Sequence, residues 1–169
     1  MKSIRLALSL SLLFAATAAL AQTATQKSFD QLKTLTGSWE GKSSDGKPVQ
    51  VSFRDTAGGS ALMSEILGHG PENMISMFTL DGPNRIVLTH YCSVGNQPRM
   101  AATVSPDGKT FTFDYFDATN LKSPDAGHMQ RVVFTIVDAN HHTEDWTFVD
   151  HDKQMKELFD LRRNEMAQK

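Results

Sequence analysis

The sequence predicts an all-β protein: an antiparallel, up-and-down β-barrel of about ten strands, entered through one short N-terminal helix. Three observations predict it. Short segments that alternate apolar and polar residues recur along the chain, as in Val49, Val51 and Phe53 set against Gln50, Ser52 and Arg54. Turn signals separate them, among them Asp45-Gly46, Asp81-Gly82, Gly95-Asn96 and Asp107-Gly108. No helical periodicity intervenes after Gly37, and so many strands in one open sheet would leave long unpaired edges that closure removes. A two-sheet sandwich is the alternative arrangement.

The chain begins with an export signal. Lys2 and Arg5 precede an apolar run from Leu6 to Leu20, and Ala19-Leu20-Ala21 forms a small-residue cleavage site before Gln22. The run is about 15 residues, short of the roughly 20 that a membrane span needs. Residues 1–21 are thus read as a cleaved signal peptide, and the protein as exported, periplasmic or secreted. The 169 residues less this leader leave about 148, enough for one domain. Removing Lys2 and Arg5 from 17 basic residues against 19 acidic ones leaves a net charge of about −4. That balance, without a basic stripe, offers no footprint for nucleic acid and no polybasic patch for anionic lipid. No second long apolar run follows, so no integral membrane segment is expected after cleavage. With Cys92 alone, no internal disulfide can form.

Residues 22–27 are polar and expected to be disordered. Ser28 is a candidate N-cap, followed by Phe29, Leu32 and Leu35 on one helical face, with Lys33 in the last turn and Gly37 as the stop. Strands are expected at Trp39–Ser43, Val49–Arg54, Leu62–Leu67, Met74–Leu80, Arg85–Cys92, Arg99–Val104, Thr110–Phe116, Met129–Val137, Thr143–Val149 and Met155–Leu161. Gly68-His69-Gly70-Pro71 reads as a turn, and Asp117 to Gly127 as a long flexible loop. The barrel domain is placed at 28–163 and a polar tail at 164–169.

Two stretches resemble known families. Gly37-Ser38-Trp39 after a short helix resembles the Gly-x-Trp entry signature of the lipocalin and calycin superfamily. That resemblance implies that Gly37 turns the chain into the barrel and Trp39 lies across its closed end. It also implies a basic side chain from the last strand on the Trp39 ring; Arg162 and Arg163 are in position, and Arg162 is taken as the partner. The segment Leu88-Thr89-His90-Tyr91-Cys92-Ser93-Val94-Gly95-Asn96-Gln97-Pro98-Arg99-Met100, with Met77 to Gly82 before it, is similar to an uncharacterised group of exported bacterial proteins with a lipocalin-like barrel. The similarity runs from Phe29 to Arg162 and implies a fold and a compartment, not a reaction.

Several residues are candidates for chemistry. His90 and Cys92 lie two apart on one strand and so share a face, where they would line the wall or begin a metal or thiolate–imidazole pair. A third metal ligand is not identified, with Glu65, His69, His128 and His142 as candidates only, so no metal is assigned. Arg99 follows a turn and is a candidate to grip an anionic head group at the mouth. His141, His142, Glu144, Asp145 and His151 read as a solvated hairpin, with His142 and Glu144 on the polar rim of the face that Trp146 and Phe148 share. Phe113, Tyr115 and Trp146 are candidate lining residues, and methionines such as Met74 and Met129 supply an adaptable apolar wall. No nucleophile elbow, phosphate loop, paired zinc cysteines or dinucleotide fingerprint appears. The function expected is a non-enzymatic barrel that binds a small apolar or amphiphilic ligand, without a cofactor. Three alternatives stand beside it. One is haem binding through His142, His151 or His90, as in small haem-binding barrels that share the early Gly-x-Trp but not, in this chain, their late His-bearing segment. The others are a filled interaction module, and a hydrolase or isomerase using His90 with an acidic partner such as Glu65.

Overall fold

A computed structural model of the protein describes residues 22–67 and 73–164. The expected signal peptide, His69 with its turn, and all of the tail beyond Asn164 lie outside the described residues. Helix α1 (Ala24–Lys33) is followed by strands β1 (Gly37–Ser43), β2 (Pro48–Thr56), β3 (Ala61–Leu67), β4 (Met74–Leu80) and β5 (Ile86–Tyr91). Strands β6 (Gln97–Val104), β7 (Thr110–Thr119), β8 (His128–Asp138), β9 (His141–Asp150) and β10 (Lys153–Arg163) complete the order. Each strand pairs antiparallel with its sequence neighbour, and β1 pairs with β10 to close the barrel. The ten-stranded up-and-down barrel with one short helix is therefore the fold, and the sandwich is not. No helix among the described residues is long and apolar enough to cross a membrane.

The helix and Trp39 plug one end. The helix starts at Ala24, earlier than expected, because Thr23 caps it: its Oγ1 accepts from the Gln26 N–H at 3.1 Å. The residues from Ala24 onward, expected to be disordered, are helical. Phe29, Leu32 and Leu35 are buried, as their spacing predicts. Lys33 ties the helix to the bend after β2, donating to the Gly59 carbonyl at 3.0 Å and pairing with Asp55 at 3.0 Å. Gly37 enters β1 at φ 131°, in the region only glycine adopts freely. Trp39 donates its indole N–H to the Leu35 carbonyl at 2.7 Å.

The cation on the Trp39 ring is Arg163, 4.2 Å from the centroid, and not Arg162. The register explains the correction. Trp39 stands directly opposite Arg163, so the two share a face, whereas Arg162 opposes Glu40 on the outside and is exposed. Arg163 also donates to the Thr34, Thr36 and Ala139 carbonyls at 3.0, 2.8 and 3.0 Å, so the last strand holds the helix end.

The middle of the barrel is full. Phe53, Phe78, Phe113 and Phe134 pack edge-on or tilted, with centroids 5.4–6.4 Å apart. Leu62, Leu88, Met100 and Val132 fill the gaps between them. Strands run longer than expected at several ends. β7 continues to Thr119 because Gln97 to Arg99 still pair with it, so the expected loop from Asp117 is shorter. β9 starts at His141, which puts His141 and His142 in the sheet and not in a turn.

Candidate functional site

At the end opposite the helix the packing of the described residues loosens. A pocket of about 190 Å³ lies there between β3, β4, β8, β9 and β10. Ile66, Met74, Met129, Trp146, Phe148, Met155 and Phe159 make it apolar, and Lys156 and Glu157 stand at its edge. The alternation of β9 puts Trp146 and Phe148 on the inner face, and that of β10 adds Met155, Glu157 and Phe159. Met129 reaches the same side through an irregularity. The register of β8 slips between Met129 and Arg131, so Met129 opposes Phe148 while Val132 opposes Trp146, three residues on. A bulge of this kind re-aims a side chain that strict alternation would turn away.

Beneath the pocket lies a buried polar cluster. His90 is fully buried, with Nδ1 2.9 Å from the Ser76 hydroxyl and its ring 5.1 Å from that of Trp146. Its Nε2 has no partner. Burial pushes the imidazole down to about 4, so it is neutral at neutral pH. Trp146 donates its indole N–H to Glu144 Oε2 at 2.9 Å, and His142 Nε2 lies 3.1 Å from Glu144 Oε1. His142 and Glu144 are both 0% exposed, and the His142 ring meets Trp39 edge-on at 4.2 Å. The polar chain thus runs from the plugged end, through Glu144, to the indole that floors the pocket.

The structure separates residues that the sequence grouped. Arg99 is exposed on the outer wall, where it pairs with Asp117 and stacks over Phe116 at 5.2 Å, so it does not reach the cavity. Alternation is the reason: Met100, its neighbour, takes the inward position. Cys92 is buried next to the β5–β6 turn, and burial pushes its thiol up, away from thiolate chemistry. Phe113 belongs to the filled middle and does not line the pocket. Tyr115 stacks on His128 at 4.5 Å, beyond the point where the β7–β8 ladder ends at Asp114 and Arg131. His128 bonds the Ala126 carbonyl and Gln130. Glu65 binds Asn73 on the outer side, while the partner of His90 is Ser76, so Glu65 is not an acid beside His90. Among the described residues, no three His, Cys, Asp or Glu side chains come together as a metal-binding group.

The barrel is similar to the crystal structure of Rv2717c from M. tuberculosis, with a TM-score of 0.56 and 16% identity over 81% of this chain and 97% of that one. At that identity the likeness is one of fold. No protein-family model and no curated protein sequence matches the chain.

Of the residues expected to line a cavity, Trp146, Met74 and Met129 do so, and His90 lies against the Trp146 ring. His142 and Glu144, expected on the polar rim, are in the core. Their signal was present in the spacing. His142, Glu144, Trp146 and Phe148 fall two apart, so whatever face buries Trp146 also receives the other three. Glu157, Met155 and Phe159 were not singled out, because only the closing register of β10 on β9 brings them to the mouth.

Proposed function

We propose that this protein is an exported, lipocalin-like barrel that carries a small apolar molecule at its open end and does not transform it. One observation carries the reading: at the end away from the helix the packed aromatic middle gives way to a pocket of about 190 Å³ between seven apolar side chains. The volume also limits the cargo. An apolar cavity of about 150 Å³ holds benzene, whereas drug-sized ligands occupy about 300–1,000 Å³. A single ring or a short alkyl chain fits, and a porphyrin does not. The haem reading has less behind it for a second reason. His142 is committed to Glu144 under Trp39, His151 is exposed on the β9–β10 turn beside Asp150, and His90 is shut behind Trp146.

Three methionines make the test direct. Met74, Met129 and Met155 line the pocket, while Met63, Met77 and Met100 do not. Benzene added to protein with isotope-labelled methionine methyl groups is expected to shift the first three resonances in a saturable way and leave the others in place. Equal, unsaturable drift of Met63, Met77 and Met100 along with the first three would sink the proposal.

A further inference from the structure

We infer that the mouth holds a second, polar compartment divided from the apolar pocket by Phe148, and that the two together fit a neutral amphiphile, a short apolar tail with a hydroxyl or amide head. The inference rests on the apolar pocket proposed above and names the class of molecule it takes.

A cavity of about 240 Å³ is formed by the β5–β6 and β7–β8 connections and the end of β9, lined by Val94, Asn96, Asn120, Lys122, Gly127 and Asp150. Phe148 lines this cavity and the apolar pocket alike. Its ring is half-buried and rests against Gly127. A Cβ on Gly127 would sit 2.7 Å from Phe148 Cζ and 3.2 Å from Cε1, so the glycine is the space in which the ring stands. The partition is thus one aromatic side chain, held by contact and not by a backbone ladder.

The polar side has a specific vacancy for a donor. Asn96 is 4% exposed, and its Nδ2 donates to the Gly127 carbonyl at 2.7 Å, which fixes the amide. Its Oδ1 is buried without a partner, and an unpaired acceptor of that kind costs about 1–3 kcal/mol. The oxygen is closed to water as the wall stands, so a ligand hydroxyl or amide N–H that supplies what is missing must displace part of that wall. A charged head does less well. Lys122 and Asp150, the latter bonded to His151 Nδ1 at 2.8 Å, both line the cavity, so a carboxylate or an ammonium meets one opposite and one like charge. A neutral head pays neither cost, while its tail lies against Trp146, Met129 and Phe159 on the other side of the ring.

The test uses hexanol, hexanamide, hexanoate, hexylamine and benzene, titrated separately into the labelled protein. The readouts are the methyl resonances of Met74, Met129 and Met155 and the amide resonances of Asn96 and Gly127. Benzene is expected to move the methionines alone. Hexanol and hexanamide are expected to move both sets, and to bind about fivefold or more tightly than hexanoate or hexylamine. Asp150→Asn, an exposed change, is expected to bring hexanoate within about twofold of hexanol by leaving Lys122 unopposed. Phe148→Ala is expected to strengthen hexanol binding and weaken benzene, since it joins the compartments and removes a wall. Methionine shifts with silent Asn96 and Gly127, or charged probes binding as tightly as hexanol, would overturn the inference and leave the apolar pocket standing. Silence of the methionines toward every probe would remove the pocket itself and this inference with it.

Discussion

Acid should unfold this protein partly through one histidine. His90 is buried, neutral, and held down to about 4 from an ordinary value of 6.5. The sign follows from which state binds the proton. Between those values the unfolded chain protonates His90 and the folded chain does not, so stability falls as pH drops from about 6.5 toward 4 and then levels off. Linkage gives the size. Relative to about pH 7, the loss at about pH 4.5 is about 2 kcal/mol, within a ceiling of about 3 kcal/mol for the whole shift. Other carboxylates and histidines titrate over the same range, so the measurement is a difference. Urea unfolding of the wild type and of His90→Phe is followed at both pH values. The variant keeps a ring against Trp146 but has nothing to protonate, and its loss of the Ser76 hydrogen bond is a constant offset. On acidification the wild type should lose about 2 kcal/mol more than the variant. Parallel pH profiles would mean that His90 is reached by water in the folded state, and would refute the argument from burial.

Three further outcomes are expected. Arg163→Ala removes the cation over Trp39 together with three hydrogen bonds to carbonyls and should cost about 2–4 kcal/mol in denaturant unfolding, while Arg162→Ala should stay within about 0.5 kcal/mol. Gly41→Ala places a Cβ 1.8 Å from the Asp160 carbonyl oxygen, which belongs to the paired strand and cannot step aside; the protein should lose its cooperative thermal transition or melt far lower. Glu144→Ala strands the indole N–H of Trp146 and the imidazole of His142 in the core, and should lower stability by about 3 kcal/mol or more, with red-shifted Trp146 emission as the sign that the pocket floor has loosened.

The architecture was legible because its signals are local. Val49-Val51-Phe53 and Phe111-Phe113-Tyr115 announce strands by period alone, and Asp-Gly and Gly-Asn pairs announce where they end. The helix was legible by its apolar face and misjudged at its start, since Thr23 is a cap as good as Ser28 and only the hydrogen bond to Gln26 decides between them. The site was far less legible. Glu144 was assigned to the rim because carboxylates are almost never fully buried unless paired. Its partners, His142 and Trp146, sit two residues to either side on the same strand, a self-contained arrangement that composition does not flag. Arg99 was set at the mouth by its distance from a turn, although its alternation with Met100 already turned it outward. The choice of Arg163 over Arg162, and the presence of Met155 and Phe159 at the pocket, depend on how β10 registers against β1 and β9. A one-residue slip reverses both, and the alternation of Phe159 and Leu161 with Asp160 and Arg162 was the available signal that Met155 and Arg163 face inward.

The pairing of first strand with last also sets the order in which the molecule can be made. Arg163 reaches back across 129 positions to the Thr34 carbonyl, and Asn164 across 124 to Glu40. Until those residues emerge from the ribosome, β1 has one side unpaired, Trp39 lacks its cation, and β9 presents a free edge. The nascent chain is then a curved ribbon with two adhesive borders, and every preceding strand can be in place without the cylinder existing. Such long-range contacts come late and slow folding. A chain cut before Phe159 would therefore be primed to join borders with another copy of itself.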